Sequence, residues 1–177
     1  MKYLLILFVA TATLTISKAQ TSKPDTAAAK ASLQSAAQKM GALFVQKDYV
    51  AFIKYVNPKV LTAMGGKDKM METLKAAMKQ MEEQGISFNK FTIGEPSKII
   101  YTKTDLESVV PQILELKTKD GRVVSTSYLV ATSNDNGKTW YFVDTAGKTL
   151  AQMKTFIPSL SNELVIPAKT QPVFYKN

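Results

Sequence analysis

The sequence predicts an α+β domain, helices first and an antiparallel sheet after them, on three observations. Apolar residues recur every three or four positions from about Leu33 to Met81, and from Ile86 the period shortens to alternation. Two turn signals, Asp120-Gly121 and the loop Ser133–Trp140, then divide the alternating part into hairpins. Helices and strands segregated along the chain make this class of architecture.

Ahead of the helices, residues 1–19 read as a cleavable secretory signal. Lys2 supplies the positive start, Tyr3 to Ala10 an apolar run, and Ser17-Lys18-Ala19 the small residues before a cut at Gln20. A membrane anchor is the rival reading, but a span needs about 20 apolar residues and this run is short and threonine-dotted. Cleavage after Ala19 of the 177-residue chain leaves 158, an ordinary size for one domain. The chain has no cysteine, so neither a disulfide nor a cysteine-linked lipid anchor is available to it. The expected product is exported to the periplasm or beyond, with no membrane anchor after cleavage. A polar leader spans 20–24, the domain 25–157, and a tail 158–177 packs on the domain or at a dimer interface.

Pro24 and Asp25 suit a first helical turn, and Leu33, Ala37, Met40 and Phe44 then form an apolar stripe to about Lys47. Asp48 can cap a short second helix with Phe52, Ile53 and Val56 inward, stopped by Asn57-Pro58. After Gly65-Gly66, residues 67–84 make a third helix ending at Gly85. Its inner face is Met71, Leu74, Met78 and Met81. A methionine stripe can form an adaptable binding wall, but the plainer expectation is core. Strands are expected over 88–93, 98–102, 109–119, 122–133 and 138–144, then a short helical piece over 150–156 and the Pro-punctuated tail.

Ser133-Asn134-Asp135-Asn136-Gly137-Lys138-Thr139-Trp140 follows the pattern S-x-D-x-G-x-T-W and resembles the Asp-box, a hairpin motif found on several folds. Asp135 can accept backbone N–H bonds across the turn, Gly137 permits a positive φ, and Trp140 can pack beneath the loop. Occurring once, the motif reads as a turn stabiliser built from Ser133, Asp135, Gly137 and Trp140.

With two tight turns, Lys119 pairs with Arg122 and Ser133 with Lys138. One face then carries Gln112, Leu114, Ser127, Leu129, Trp140, Phe142 and Asp144, with Asp144–Ser127–Leu114 and Phe142–Leu129–Gln112 in rows. This face suits the helical layer, and Asp144 and Gln112 would point into a partly enclosed apolar cavity, the usual shape of a small-molecule site. Alternatively, Asp144 caps the Ala146-Gly147 turn and Gln112 lies in water. The opposite face, with Tyr128, Val130, Tyr141 and Val143, is too apolar to leave bare, so either a second subunit or the tail covers it.

The formal charge is +9, or +7 without Lys2 and Lys18. Arg122 is the one arginine, and the lysines are scattered, which suits a solvated surface and not a nucleic-acid face. Without histidine or cysteine there is no conventional catalytic triad, no thiol nucleophile and no zinc site with nitrogen or sulfur ligands, and no cofactor motif is present. Among carboxylates, Glu82-Glu83 lies at a helix end. Glu107 and Glu115 stand about 26 Å apart along one strand, too far to share a substrate bond.

The order helix, short helix, helix, sheet resembles the NTF2-like superfamily over about Asp25 to Asp144. Lys47-Asp48-Tyr49, Phe52, Tyr55 and Pro58, ahead of a Gly-punctuated helix, are similar to the early segment of many small exported members. The resemblance implies helices on a strongly curved antiparallel sheet, a cone enclosing a cavity, and often a dimer through the sheet. Members include isomerases, dehydratases, cyclases and non-catalytic binding domains, so fold does not give function. The missing histidine removes members with a His–Asp pair as a model. An isomerase-like site would have to use Asp144 with Tyr101 or Tyr55.

Three readings stay open. A non-catalytic domain binding a small apolar or amphipathic ligand, as a homodimer through Tyr128, Val130, Tyr141 and Val143, predicts a cavity lined by Trp140, Phe142, Asp144, Gln112, Ser127 and Leu129. An interaction module with no ligand, working through its exposed sheet face, predicts a cavity filled by Met71, Met78 and Phe44 and a dry patch around Tyr128 and Tyr141. A lyase or isomerase predicts Asp144 buried, without a backbone N–H partner, beside a tyrosine hydroxyl.

Overall fold

The computed structural model describes residues 26–177, so the expected signal, the leader and the start of the first helix lie outside the described residues. Helix α1 (Thr26–Val45) is followed by α2 (Tyr49–Phe52), a 3₁₀ turn (Ile53–Tyr55), α3 (Pro58–Ala63) and α4 (Lys67–Glu83). The strands are β1 (Ser87–Ile93), β2 (Ile100–Tyr101), β3 (Leu106–Lys117), β4 (Gly121–Ser133) and β5 (Tyr141–Asp144). Helix α5 (Leu150–Met153) and β6 (Val173–Lys176) complete the chain. The architecture is α+β, with the helices ahead of a six-stranded antiparallel sheet.

The spine of the sheet is the β3–β4 hairpin, paired from Leu106↔Ser133 to Lys117↔Arg122 without interruption. Shorter strands flank it, β1 and β2 on β3 and β5 and β6 on β4. The sheet is not strongly curled, which corrects the strong curvature expected of it. Bending a sheet needs bulges, and the hairpin has none; the register shift that does occur lies in β1, between Phe88 and Lys90.

The first turn lies one residue earlier than expected, at Lys119-Asp120, where Thr118 N donates to the Gly121 carbonyl at 2.8 Å, and the second is longer than expected. Lys117, not Lys119, pairs with Arg122, because Gly121 belongs to the strand. Strand β6 lies so close there that a Cβ on Gly121 would stand 2.1 Å from the Tyr175 carbonyl oxygen. The loop after β4 runs from Ser133 to Tyr141 because Asp135 Oδ1 takes the Lys138 and Thr139 N–H groups from the ladder, at 3.1 and 2.8 Å. Each pairing is displaced by two residues, so the faces are kept while the rows change. Asp144 stands opposite Leu129 and Val110, Phe142 opposite Ala131 and Ser108, and Gln112 opposite Ser127.

The helical layer packs where the alternation places it. Ala29, Leu33, Ala37 and Met40 of α1 form one cluster with Val110, Leu129, Ala131, Trp140 and Phe142. Gly41 lets α1 approach β1 closely, since a Cβ would stand 2.2 Å from the Phe91 ring. Asn57 ends one helix and starts another, α3, which the sequence reading did not anticipate. Its Oδ1 accepts from Lys59 N at 3.0 Å, Pro58 takes the first turn, and its own N–H donates to the Phe142 carbonyl at 3.0 Å.

On the opposite face the tail supplies the cover. Met153, Ile157, Leu160 and Leu164 pack on Ile100, Val109 and Val130, with Tyr128 and Val143 at the margin. Val130 is wholly buried there, so a homodimer through Tyr128, Val130, Tyr141 and Val143 would first require the tail to lift.

Candidate functional site

A cavity of about 310 Å³ lies between the helical layer and the first sheet face. Met40 and Phe44 of α1, Phe52, Val60 and Met64 form the helical wall, and Met70 and Leu74 bring α4 over it. The sheet contributes Phe91, Leu114, Leu129, Phe142, Gln112 and Asp144. Burying apolar ligand surface here is favourable by about 25 cal/mol per Å².

The methionine stripe of α4 is not ordinary core. Met71, Leu74, Met78 and Met81 do face inward, but no residue of the helix is fully buried. Helix α4 begins at Gly66 (φ 95°) without a side-chain cap and is followed by Gly85 (φ 73°). Such backbone angles favour glycine, and they mark the two ends of the helix. Near its far end, a second cavity of about 240 Å³ is lined by Met78, Met81, Tyr49 and Phe88. Phe44 lines both cavities, its ring 4.9 Å from that of Phe88 and 5.2 Å from that of Phe52. The cavities thus remain unfilled by Met71, Met78 and Phe44.

Polar groups meet at one side of the first cavity. Gln112 is buried, and its Nε2 donates to Ser127 Oγ at 2.7 Å and to Asp144 Oδ2. Ser127 Oγ donates to the same carboxylate oxygen at 3.3 Å, and Asp144 Oδ1 accepts from Ala146 N at 2.6 Å. Asp144 is exposed. It therefore caps the Ala146-Gly147 turn, where Ala146 (φ 50°) and Gly147 (φ 78°) both take left-handed backbone angles, and it borders the cavity too.

Of the six residues expected to line a ligand, Phe142, Asp144, Gln112 and Leu129 border the cavity, and Ser127 stands behind Gln112. Trp140 does not line this cavity. It is buried beneath the Ser133–Tyr141 loop, its Nε1 donating to the Gly137 carbonyl at 3.1 Å. The loop has the expected mechanics. Ser133 Oγ accepts from Gly137 N at 2.9 Å and donates to Asp135 Oδ1 at 2.9 Å, and Gly137 has a φ of 81°.

The geometry required of an enzyme at Asp144 is missing. The carboxylate is exposed, it holds a backbone N–H partner, and neither Tyr55 nor Tyr101 lines the cavity. The Tyr101 hydroxyl bonds Thr26 Oγ1 at 2.9 Å instead. Among the described residues, no group of three histidine, cysteine, aspartate or glutamate side chains could hold a metal ion, and no helix is long and apolar enough to cross a membrane.

Compared with protein-family models, with curated proteins and with solved structures, the chain matches none.

The sequence shows Glu107 as a carboxylate on a strand, too far from Glu115 to act with it, but not its burial. It is buried under the tail, where Oε2 accepts from Ser161 N at 2.9 Å. Burial pushes its carboxyl above the usual value; the Ser161 bond opposes this, Asp105 adds to it, and Lys154 and Lys59 offset part. Its place on the tail-covered face follows from alternation with Val109, a signal that was present in the sequence.

Proposed function

We propose that this chain is an exported, non-catalytic binding domain of NTF2-like type that holds a small apolar or amphipathic molecule under α4. The observation that carries the reading is the unfilled apolar cavity of about 310 Å³, whose wall includes the thioethers of Met40, Met64 and Met70 beside Leu74 of α4. A flexible thioether wall adapts to the shape of a guest, which a close-packed leucine wall does not. The exposed, turn-capping role of Asp144 supports binding over catalysis. Export is supported by the first nineteen residues alone.

Titration with prodan, a neutral apolar dye whose emission shifts on leaving water, tests the proposal. The dye should bind one per chain, and Leu74→Trp, which projects bulk into the cavity from a half-exposed position, should weaken binding by roughly tenfold or more. Equal binding by both proteins would place the dye elsewhere and remove the reading.

A further inference from the structure

The polar side of the cavity offers acceptors and no cation. Of the residues that line it, Asp144 alone is charged, although lysine and arginine outnumber aspartate and glutamate by 23 to 14 in the chain. Among the described residues, none of the ion pairs includes Asp144. Its hydrogen-bond donors are the neutral Gln112, Ser127 and Ala146 groups, so its charge is uncompensated by any partner cation.

Gln112 extends the argument. A carboxylate only accepts, so the amide must present its NH₂ to Asp144, which fixes the side chain's orientation. Both amide protons are then engaged, one by Asp144 Oδ2 and one by Ser127 Oγ. The Gln112 Oε1 atom is left as an acceptor, with no donor among the described residues. Asp144 Oδ1, which accepts from Ala146 N alone, has a second lone pair available.

Resting on the binding role proposed above, we infer that the ligand is a primary amine on a compact apolar body. Its ammonium donates to Asp144 Oδ1 and Gln112 Oε1, and its hydrocarbon part lies against Leu129, Phe142 and Leu74. An ammonium has three N–H donors and a positive charge, which match two acceptors and one unpaired negative charge. A fatty acid would bring its carboxylate against Asp144, so the same cavity discriminates against acidic amphiphiles.

Competition against bound prodan by octylamine, octanol and octanoate, below their aggregation concentrations, tests the inference in the full chain. Octylamine should displace the dye at a concentration lower than octanoate by about tenfold, with octanol between them. Added salt should narrow the interval, because Asp144 is exposed and its charge is screened. In Asp144→Asn the octylamine-to-octanoate ratio should fall to about one. If octanoate competes as well as octylamine in the unaltered protein, the amine assignment is overturned while the cavity reading stands. If prodan itself fails to bind, both are overturned.

Discussion

Asp135 Oδ1 gathers three donors, the Ser133 hydroxyl and the Lys138 and Thr139 amides, and so closes a loop that the sheet ladder leaves unpaired. Burial works against its charge, but the bonds from Thr139, Ser133 and Lys138 outweigh it and hold the carboxyl below its usual 3.8. A carboxyl lowered on folding stabilises the fold above the ordinary value, and that stability is lost as pH falls through the folded value. Asp135→Asn should therefore cost about 1–3 kcal/mol in urea unfolding at neutral pH, with the difference shrinking in acid. Glu107 has the opposite sign. Its folded carboxyl keeps a proton above the usual 4.5, so its contribution is intact below that value and diminishes as pH rises through the raised one. Urea midpoints measured across that interval should fall more steeply for the unaltered protein than for Glu107→Gln. Parallel curves would mean that Glu107 is not protonated preferentially in the folded chain.

At the scale of elements, α1 and α4 are both amphipathic and are packed very differently. Helix α1 buries five residues between Ala29 and Gly41, and α4 buries none. Leu33→Ala should cost about 2–5 kcal/mol, whereas Met78→Ala, beside a cavity and already half-exposed, should cost less than about 1 kcal/mol. The two helices were equally legible as periodic stripes, because periodicity reports which side turns inward and not how tightly it is covered. Helix α3 was hidden for a related reason. Asn57-Pro58 is a stop for one helix and a cap plus first turn for the next, and the same two residues carry both signals. The pairings were misjudged by two residues each because the forces that set them, the approach of β6 to Gly121 and the grip of Asp135 on Lys138 and Thr139, are tertiary or depend on the loop's final shape. An even slip preserves the faces, so the inward set survived the error.

Across the whole molecule, the sheet is covered on one face by α1 and on the other by the tail, and the cavity lies where the end of α1 and α4 meet over the sheet. Alternation, with hairpin registers that slipped by an even number, placed Phe142, Leu129, Gln112 and Asp144 on the helix-facing side, which is why most residues bordering the cavity were readable beforehand. Trp140 was misplaced because its inward direction was taken to mean exposure to the cavity, whereas the Ser133–Tyr141 loop draws it into the packed end of the core. The tail's choice between self and partner was not readable, since Ile157, Leu160 and Leu164 suit either surface equally. The central claim is that the space beneath α4 holds a guest. Native mass spectrometry of the protein purified from its own host, alongside Leu74→Trp, tests it most directly. The unaltered chain should retain one small organic molecule, and the variant should show the bare polypeptide mass. Bare mass for both proteins, persisting after addition of octylamine or prodan, would contradict the account.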